Sequence, residues 1–283
     1  MSAPNTIPVE KLARLIGTPR GPVIIDVRSD DEFAADPQRI PGAIRQQTDD
    51  VAAWAAAYIG RHVVVVCRDG HQSSHGAAAW LRQASASAET LDGGVAAWRK
   101  AGQPMVRETA LPRRDGLGRT VWVTRARPKV DRIACPWLIR RFVDPDAQFL
   151  FVPPGEVAGV AGRFAAMPFD VEGPGVVWGH DGDRCTFDVM LDGFGLGSLP
   201  ALAHLARIVR GADTARLDLV PEAAGLAALS LGLSRMFDDD LEQLDAGMLL
   251  YDALYRWCRD ATGEKHDWVS HQPRSIAAKV TLA

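Results

Sequence analysis

The sequence predicts an α/β unit, a parallel sheet with helices on both faces, followed by a mixed α+β unit that is mainly helical. Three observations carry this reading. Two short β-branched runs, GPVIIDV over Gly21–Val27 and HVVVVC ending at Cys67, each precede helical patterning. A polar stretch rich in Gly, Pro and Arg, TALPRRDGLGR, then breaks the pattern between Thr109 and Arg119. From Pro200 onward, ALAHLARIVRGAD, EAAGLAALSLGLSRM and MLLYDALYRWCRD all read as helices.

Taken in order, Val9, Leu12, Leu15 and Ile16 share one helical face, and an alanine-rich helix is expected over roughly Asp49–Ile59. After Cys67, SSHGAAAWLRQA reads as a helix that Ser73 or Ser74 caps. LDGG makes a turn, and VAAWRKAG is a helix stopped by Gly102 and Pro104. Residues 1–108 thus form one domain, 109–119 a linker and 120–283 a second domain. The second opens with the strand VWVTR and a helix starting near Asp131, runs through Gly- and Pro-rich mixed structure to about Gly197, and becomes helical. The polar tail from Gly263 is expected to be loosely held.

Composition narrows the function classes. The 283 residues are 47% hydrophobic and 24% charged, as in a soluble globular protein. Residues 1–108 hold 12 basic and 12 acidic side chains and the remainder 20 and 23, so no broad field draws nucleic acid. Four cysteines without a CxxC pair match neither a disulfide framework nor a zinc finger; reduced thiols in a cytoplasmic protein are expected. MSAPNTIPVEKL lacks the features of a secretory signal, and no apolar run approaches the ~20 residues of a membrane span.

Cys67 stands where a buried strand gives way to a helix. Free N–H groups at such a junction stabilise a thiolate, or equally an anionic persulfide. Gly70 permits the curl this requires, and Arg68 and His71 add positive or proton-donating character. The competing reading is a buried, inert cysteine. VIIDVRSDDEF, RIPGAI, CRDGHQSS and LDGGVAAWRKAGQP together make residues 5–108 resemble a single-domain rhodanese. The resemblance implies a sulfurtransferase in which Cys67 carries sulfane sulfur, without a cofactor. Thiosulfate or small persulfides would be donors and thiols acceptors. It further implies that the amides from Arg68 through Ser73 hold the persulfide and that Asp26 and Arg28 pair beneath the loop. The six-residue loop matches the sulfurtransferase branch of that family. Asp69 and Gln72 stand where thiosulfate-using members often have Ser or Lys and Arg or Thr. Both weaken the potential for a dianion, so thiosulfate activity should be modest. Arg39 replaces the usual His and is expected at the surface.

The second domain offers two clusters. TRARPKVDRIACPWLIRR carries six basic residues and one acid, Asp131, at a strand-to-helix junction. Arg125, Lys129 and Arg132 are the candidates for an oxyanion there; a solvated helix face is the alternative. Cys135 shares an apolar face with Leu138, Ile139 and Phe142 and reads as core, as does Cys258. In GHDGDRCTFDVML, His180, Cys185 and Asp188 offer an imidazole, a thiol and a carboxylate. With Asp213 as a fourth ligand they would suit zinc or iron. Alternatively Thr186 caps a helix with Asp188 in its first turn. WVTRARPKVDRIACPWLIRRFVDPDAQFLFVP, HDGDRCTFDVML, RIVRGAD and LGLSRMFDDDLEQLDAGMLLYDALYRWC resemble the carboxy-terminal domain of ChrB-type chromate-resistance proteins. That resemblance implies a role in chromate or oxyanion stress. Members acting as regulators carry a DNA-binding amino-terminal domain, here replaced by the rhodanese-like one. Arg210 stands where relatives often have His. Two functions follow: a sulfurtransferase linked to oxyanion stress, or a non-enzymatic sensor of chromate, a sulfur oxyanion or a metal.

Overall fold

The structure, a computed structural model, describes residues 5–264. Beyond Gly263 and Glu264 the polar tail lies outside the described residues. The first half follows the order β1 (Thr6–Ile7), α1 (Val9–Leu15), β2 (Val23–Asp26), α2 (Asp30–Ala35), β3 (Gln38–Arg39), β4 (Ala43–Arg45) and α3 (Val51–Trp54). It continues through β5 (His62–Val66), α4 (Gln72–Gln83), β6 (Ser87–Leu91), α5 (Gly94–Lys100) and β7 (Val106–Arg107). Five strands form an all-parallel sheet in the order β1-β6-β5-β2-β4. The crossover order places β5 and β2 centrally, which explains their unbroken β-branched runs. Ser29 starts α2 through a reciprocal capping box with Glu32.

Side chains along β5 alternate between the faces of the sheet. Val63 and Val65 join Cys67 in a core against Ala77, Ala78 and Leu81 of α4. Val64 and Val66 point the other way, into a larger core with Val95 and Trp98 of α5. The start of α4 differs from expectation. It begins at Gln72 after His71, with no side-chain cap, because Ser74 is buried and turned toward Cys67.

The second half contains β8 (Val121–Arg125), α6 (Asp131–Phe142), β9 (Gln148–Val152), α7 (Val157–Phe164) and β10 (Met167–Pro168). Then follow α8 (Thr186–Gly193), α9 (Pro200–Asp213), α10 (Glu222–Met236) and α11 (Asp240–Asp260). A small parallel sheet, β10-β8-β9, stands beside this helical bundle. Helix α6 is buried on nearly every side, which suits its continuous apolar run and lets it tolerate Pro136. Trp137 at its centre donates to Asp252 of α11 at 2.8 Å, and Arg141 holds the same carboxylate. Asp239 caps α11 by accepting from the Leu241 and Glu242 amides. Among the described residues no helix is long and apolar enough to cross a membrane.

The halves are not beads on a string. The larger core runs from Ile7 and Ile24 through Trp98 to Phe142, Phe187 and Leu244. Gly17, at φ +75°, lies against the Phe142 ring so closely that a Cβ would sit 2.1 Å from its Cζ. Gly42 donates to the Phe142 carbonyl at 2.7 Å. Arg39, expected at the surface, is only 3% exposed, because β3 pairs with β7 and carries it under the segment leading to the second half. Its Nη2 lies 2.6 Å from Glu108 Oε2, and Nη1 donates to the Ala43 carbonyl. Burial pulls the Arg39 pKa down to about 10, aided by Arg114 and opposed by Glu108, Asp144 and Asp26. Arg114 continues this brace to Asp144 at 3.3 Å, and Asp144 accepts from both the amide and hydroxyl of Thr120. Residues 109–119 are themselves folded around Asp115, which takes the Leu117 and Arg119 amides at 2.9 Å each.

Candidate functional site

Cys67 ends β5 and is 6% exposed. Its thiol donates to Ser74 Oγ at 3.1 Å, and that hydroxyl donates to the His71 carbonyl at 3.0 Å. The first turn of α5 holds the loop from behind. Val95 N–H donates to the Cys67 carbonyl and Ala96 N–H to that of Arg68, at 3.0 and 2.9 Å. With the carbonyls fixed there, the backbone N–H groups of residues 68–74 meet no protein acceptor among the described residues. Gly94, at φ +59°, makes this approach possible, since a Cβ on it would come within 2.4 Å of the Cys67 carbonyl oxygen. Gly70, at φ +74°, is equally confined, with Gly93 N, Gly94 N and Leu91 O each 2.8 Å from a would-be Cβ. The paired glycines of LDGG are therefore part of the loop's support.

The other residues of this constellation take distinct places. Arg68 is exposed and bonds Asp69 at 2.8 Å, with Glu32 at 3.5 Å. That bond to Asp69 holds the Arg68 guanidinium above its ordinary pKa. His71 and Ser73 are exposed on the outer rim, so the hydroxyl beside the sulfur is that of Ser74, which sequence reasoning treated only as a cap. Asp26 and Arg28 are both buried and pair at 2.6 Å. Arg28 also donates to the Gln38 and Asp36 carbonyls, tying the end of β2 to the segment before β3.

A second constellation lies at the junction of β8 and α6. Val130 precedes the helix at φ +29°, a strained conformation for a β-branched residue. Ser230 accepts its N–H at 2.8 Å and the Tyr251 hydroxyl donates to its carbonyl at 3.0 Å. Asp131 follows, fully buried, and its Oδ2 accepts from the Phe187 amide at 3.2 Å. Asp170, at φ +50°, joins it from the segment after β10. His180 Nε2 lies 3.1 Å from Asp213 Oδ2, 3.5 Å from Asp170 Oδ1 and 3.8 Å from Asp131 Oδ2. Burial drives the Asp131 carboxyl well above the carboxylate range, and the charges of Asp213 and Asp170 add to this. Asp213 is raised for the same reasons, burial first and then Asp170.

The proposed ligand set is therefore redrawn. His180 and Asp213 do converge, but Cys185 and Asp188 belong to the cap of α8. Asp188 Oδ2 accepts from the Cys185 amide at 3.1 Å and from its thiol at 3.3 Å. Arg210 then takes both Asp188 oxygens, at 2.8 and 2.7 Å. Cys185, not Thr186, is the N-cap; Thr186 instead donates to Asp170 Oδ1 at 3.0 Å. Cys135 is fully buried and its thiol is pushed well up, chiefly by burial.

The expected oxyanion set is also corrected. Arg125 and Arg132 both engage Asp170 Oδ2 at 3.2 Å, so their charge is already matched. Lys129 is exposed. The α6 amide at Asp131 faces Asp213 Oδ1 at 3.4 Å, which occupies the place foreseen for an external anion.

Two family models match separate segments of the chain. The Rhodanese-like domain family matches residues 8–101, and the family "ChrB, C-terminal domain" matches residues 122–258. Protein ChrB of Cupriavidus metallidurans is 37% identical over 148 residues, 51% of this chain and 43% of that protein. The match thus spans less than half of the curated relative. Among solved structures, a rhodanese-related protein from Thermoplasma volcanium is 22% identical, covering 36% of this chain and 97% of its own, with a TM-score of 0.32. A rhodanese-like domain protein from Staphylococcus aureus is 24% identical, covering 33% and 90%, with a TM-score of 0.30. One segment of the chain is thus similar to the Rhodanese-like domain family and a second to the ChrB C-terminal domain family, and neither match spans half of the chain.

Proposed function

We propose that the protein is a sulfurtransferase whose Cys67 carries sulfane sulfur as a persulfide, acting in the context of chromate or oxyanion stress. The observation that carries this reading is the loop after β5, where, among the described residues, the N–H groups of residues 68–74 have no protein acceptor in the segment that follows Cys67. Such a nest of amides stabilises an anionic sulfur without a fixed cation. In the first step the Cys67 thiolate attacks the outer sulfur of the donor. The donor's S–S bond breaks, and its electron pair leaves on sulfite or on the thiolate of a small persulfide. In the second step an acceptor thiolate attacks the terminal sulfur, the bond to Cys67 breaks, and the Cys67 thiolate returns. Atoms and electrons balance without an external oxidant. Ser74 hydrogen-bonds the sulfur and positions it; the Asp26–Arg28 pair anchors the floor of the loop. Asp69 beside Arg68 lowers the attraction for a dianion and favours persulfide donors over thiosulfate.

Sulfur transfer from thiosulfate and from glutathione persulfide to a thiol acceptor tests this on the full chain. Turnover that persists in Cys67→Ser, or no turnover with either donor, rejects it. The second reading, a non-enzymatic sensor, draws on the carboxylates of the other half. Their chemistry suits a cation better than chromate, sulfate or another oxyanion.

A further inference from the structure

We infer that Asp131, Asp170 and His180, with Asp213 alongside, form a binding site for one divalent cation of the Mn2+ or Fe2+ kind. One ligand atom from each of the first three lies within 4.8 Å of the other two, so that side-chain adjustments of a few tenths of an ångström bring them around a single ion with bonds of about 2.0–2.2 Å. Asp213 Oδ2 is 3.1 Å from the same His180 nitrogen and adds a carboxylate at the edge of this group.

The second observation is independent of the clustering. Asp131 is completely buried, yet its Oδ1 has no hydrogen-bond partner among the described residues. A buried carboxylate oxygen left in this state is costly, and the cost is removed when a cation takes it as a ligand. The remaining oxygens are arranged accordingly. Asp131 Oδ2 is held by the Phe187 amide, and Asp213 Oδ1 faces the Asp131 amide. Asp170 Oδ1 receives the Thr186 hydroxyl, while its Oδ2 pairs with Arg125 and Arg132. This outer layer fixes the first ligands in orientation, as partners of metal ligands do.

The donor set decides the class of ion. Three carboxylates and one imidazole, without a thiolate, favour a hard to borderline cation over a soft one. Access is provided by His180, whose side chain is 44% exposed, and by a cleft of about 440 Å³ lined by Arg125, Asp170, Glu172 and His180. That opening leaves room for water or a small anion on the ion. The inference stands apart from Cys67 and from any sulfur chemistry.

The test uses the full chain, stripped with chelator and titrated with Mn2+ by calorimetry and by the loss of the free-ion electron paramagnetic resonance signal. One ion per chain is expected. Asp131→Asn and His180→Ala should each weaken binding by about ten-fold or more, whereas Cys185→Ser should bind as the wild type does. Melting curves give a readout that separates ligation from folding. Without metal, Asp131→Asn should melt above the wild type, because one of three crowded carboxylates is neutralised. With Mn2+ the order should reverse. His180→Ala removes a half-exposed side chain and serves if Asp131→Asn does not fold. Less than one ion in the wild type, unchanged affinity in the variants, or loss of the ion in Cys185→Ser would overturn the assignment.

Discussion

Both halves of the molecule use one device, a central parallel strand that runs through a short loop into a helix, and they fill it in opposite ways. After β5 the loop amides meet no protein acceptor among the described residues, and the Cys67 sulfur at the start of the loop bonds only the Ser74 hydroxyl. After β8 the corresponding N–H groups are taken, Val130 by Ser230 and Asp131 by the Asp213 carboxylate. The first junction is an electropositive nest suited to an anion. The second already contains its anions, which are the protein's own carboxylates. A helix N-terminus therefore does not by itself specify a ligand; what decides is whether the chain brings its own negative charge to it.

The largest effect is expected from the sulfur itself. After incubation with a persulfide donor, intact-mass measurement should show wild-type protein gaining one sulfur atom and Cys67→Ser gaining none. Replacing Cys135, Cys185 or Cys258 should leave the gain in place; a gain that follows Cys135 would break the contrast drawn between the two junctions. Next comes alkylation at pH 8. Burial pushes the Cys258 thiol up to about 11, so only about one molecule in a thousand carries that thiolate, and the fraction rises with pH. Cys135 and Cys185 are raised by burial as well. Peptide mapping should find Cys67 modified first and the other three only on unfolding.

Structural substitutions sharpen the comparison further. Gly94→Ala would force a Cβ against the Cys67 carbonyl at a positive φ. It should cost at least about 2 kcal/mol in chemical denaturation and reduce sulfur transfer, because the loop must shift. Ser230→Ala leaves the buried Val130 N–H without its acceptor and should cost about 1–3 kcal/mol while sparing sulfur transfer. The smallest change is expected for Ser74→Ala. One hydrogen bond to the sulfur is lost, so transfer should fall by less than about ten-fold with the melting temperature nearly unchanged.

What the sequence revealed depended on range. The β-branched runs and the capping and glycine signals act over a few residues, and β2, β5, β8, the Cys67 loop and the helices α6, α9, α10 and α11 were legible from them, whereas the short or edge strands were not. Ser73 and Ser74 both read as possible caps, but the helix starts two or three residues earlier, after His71, and that places the Ser74 hydroxyl inside, against the sulfur. Asp131 read as the lone acid in a basic block, and Asp170 gave no local sign. Their meeting with His180 and Asp213 depends on segments far apart in the chain and on positive φ at Val130 and Asp170, which no periodicity announces. Arg125 and Arg132 illustrate the same blind spot, since their count was visible but their engagement with Asp170 was not. Arg39 was misplaced at the surface because the β3–β7 pairing that covers it joins residues 38–39 to 106–107.

The alternation along β5 gives the fusion a direction. Val64 and Val66 look toward the half that holds Cys135 and Cys185, whereas Cys67 looks the other way, among α4 and its neighbours. The sheet is a wall between the sulfur and every cysteine of the other half. On the sulfurtransferase reading proposed above, the recipient of the sulfur would be a molecule that comes to the outer side, and no cysteine of the second half would handle the cargo.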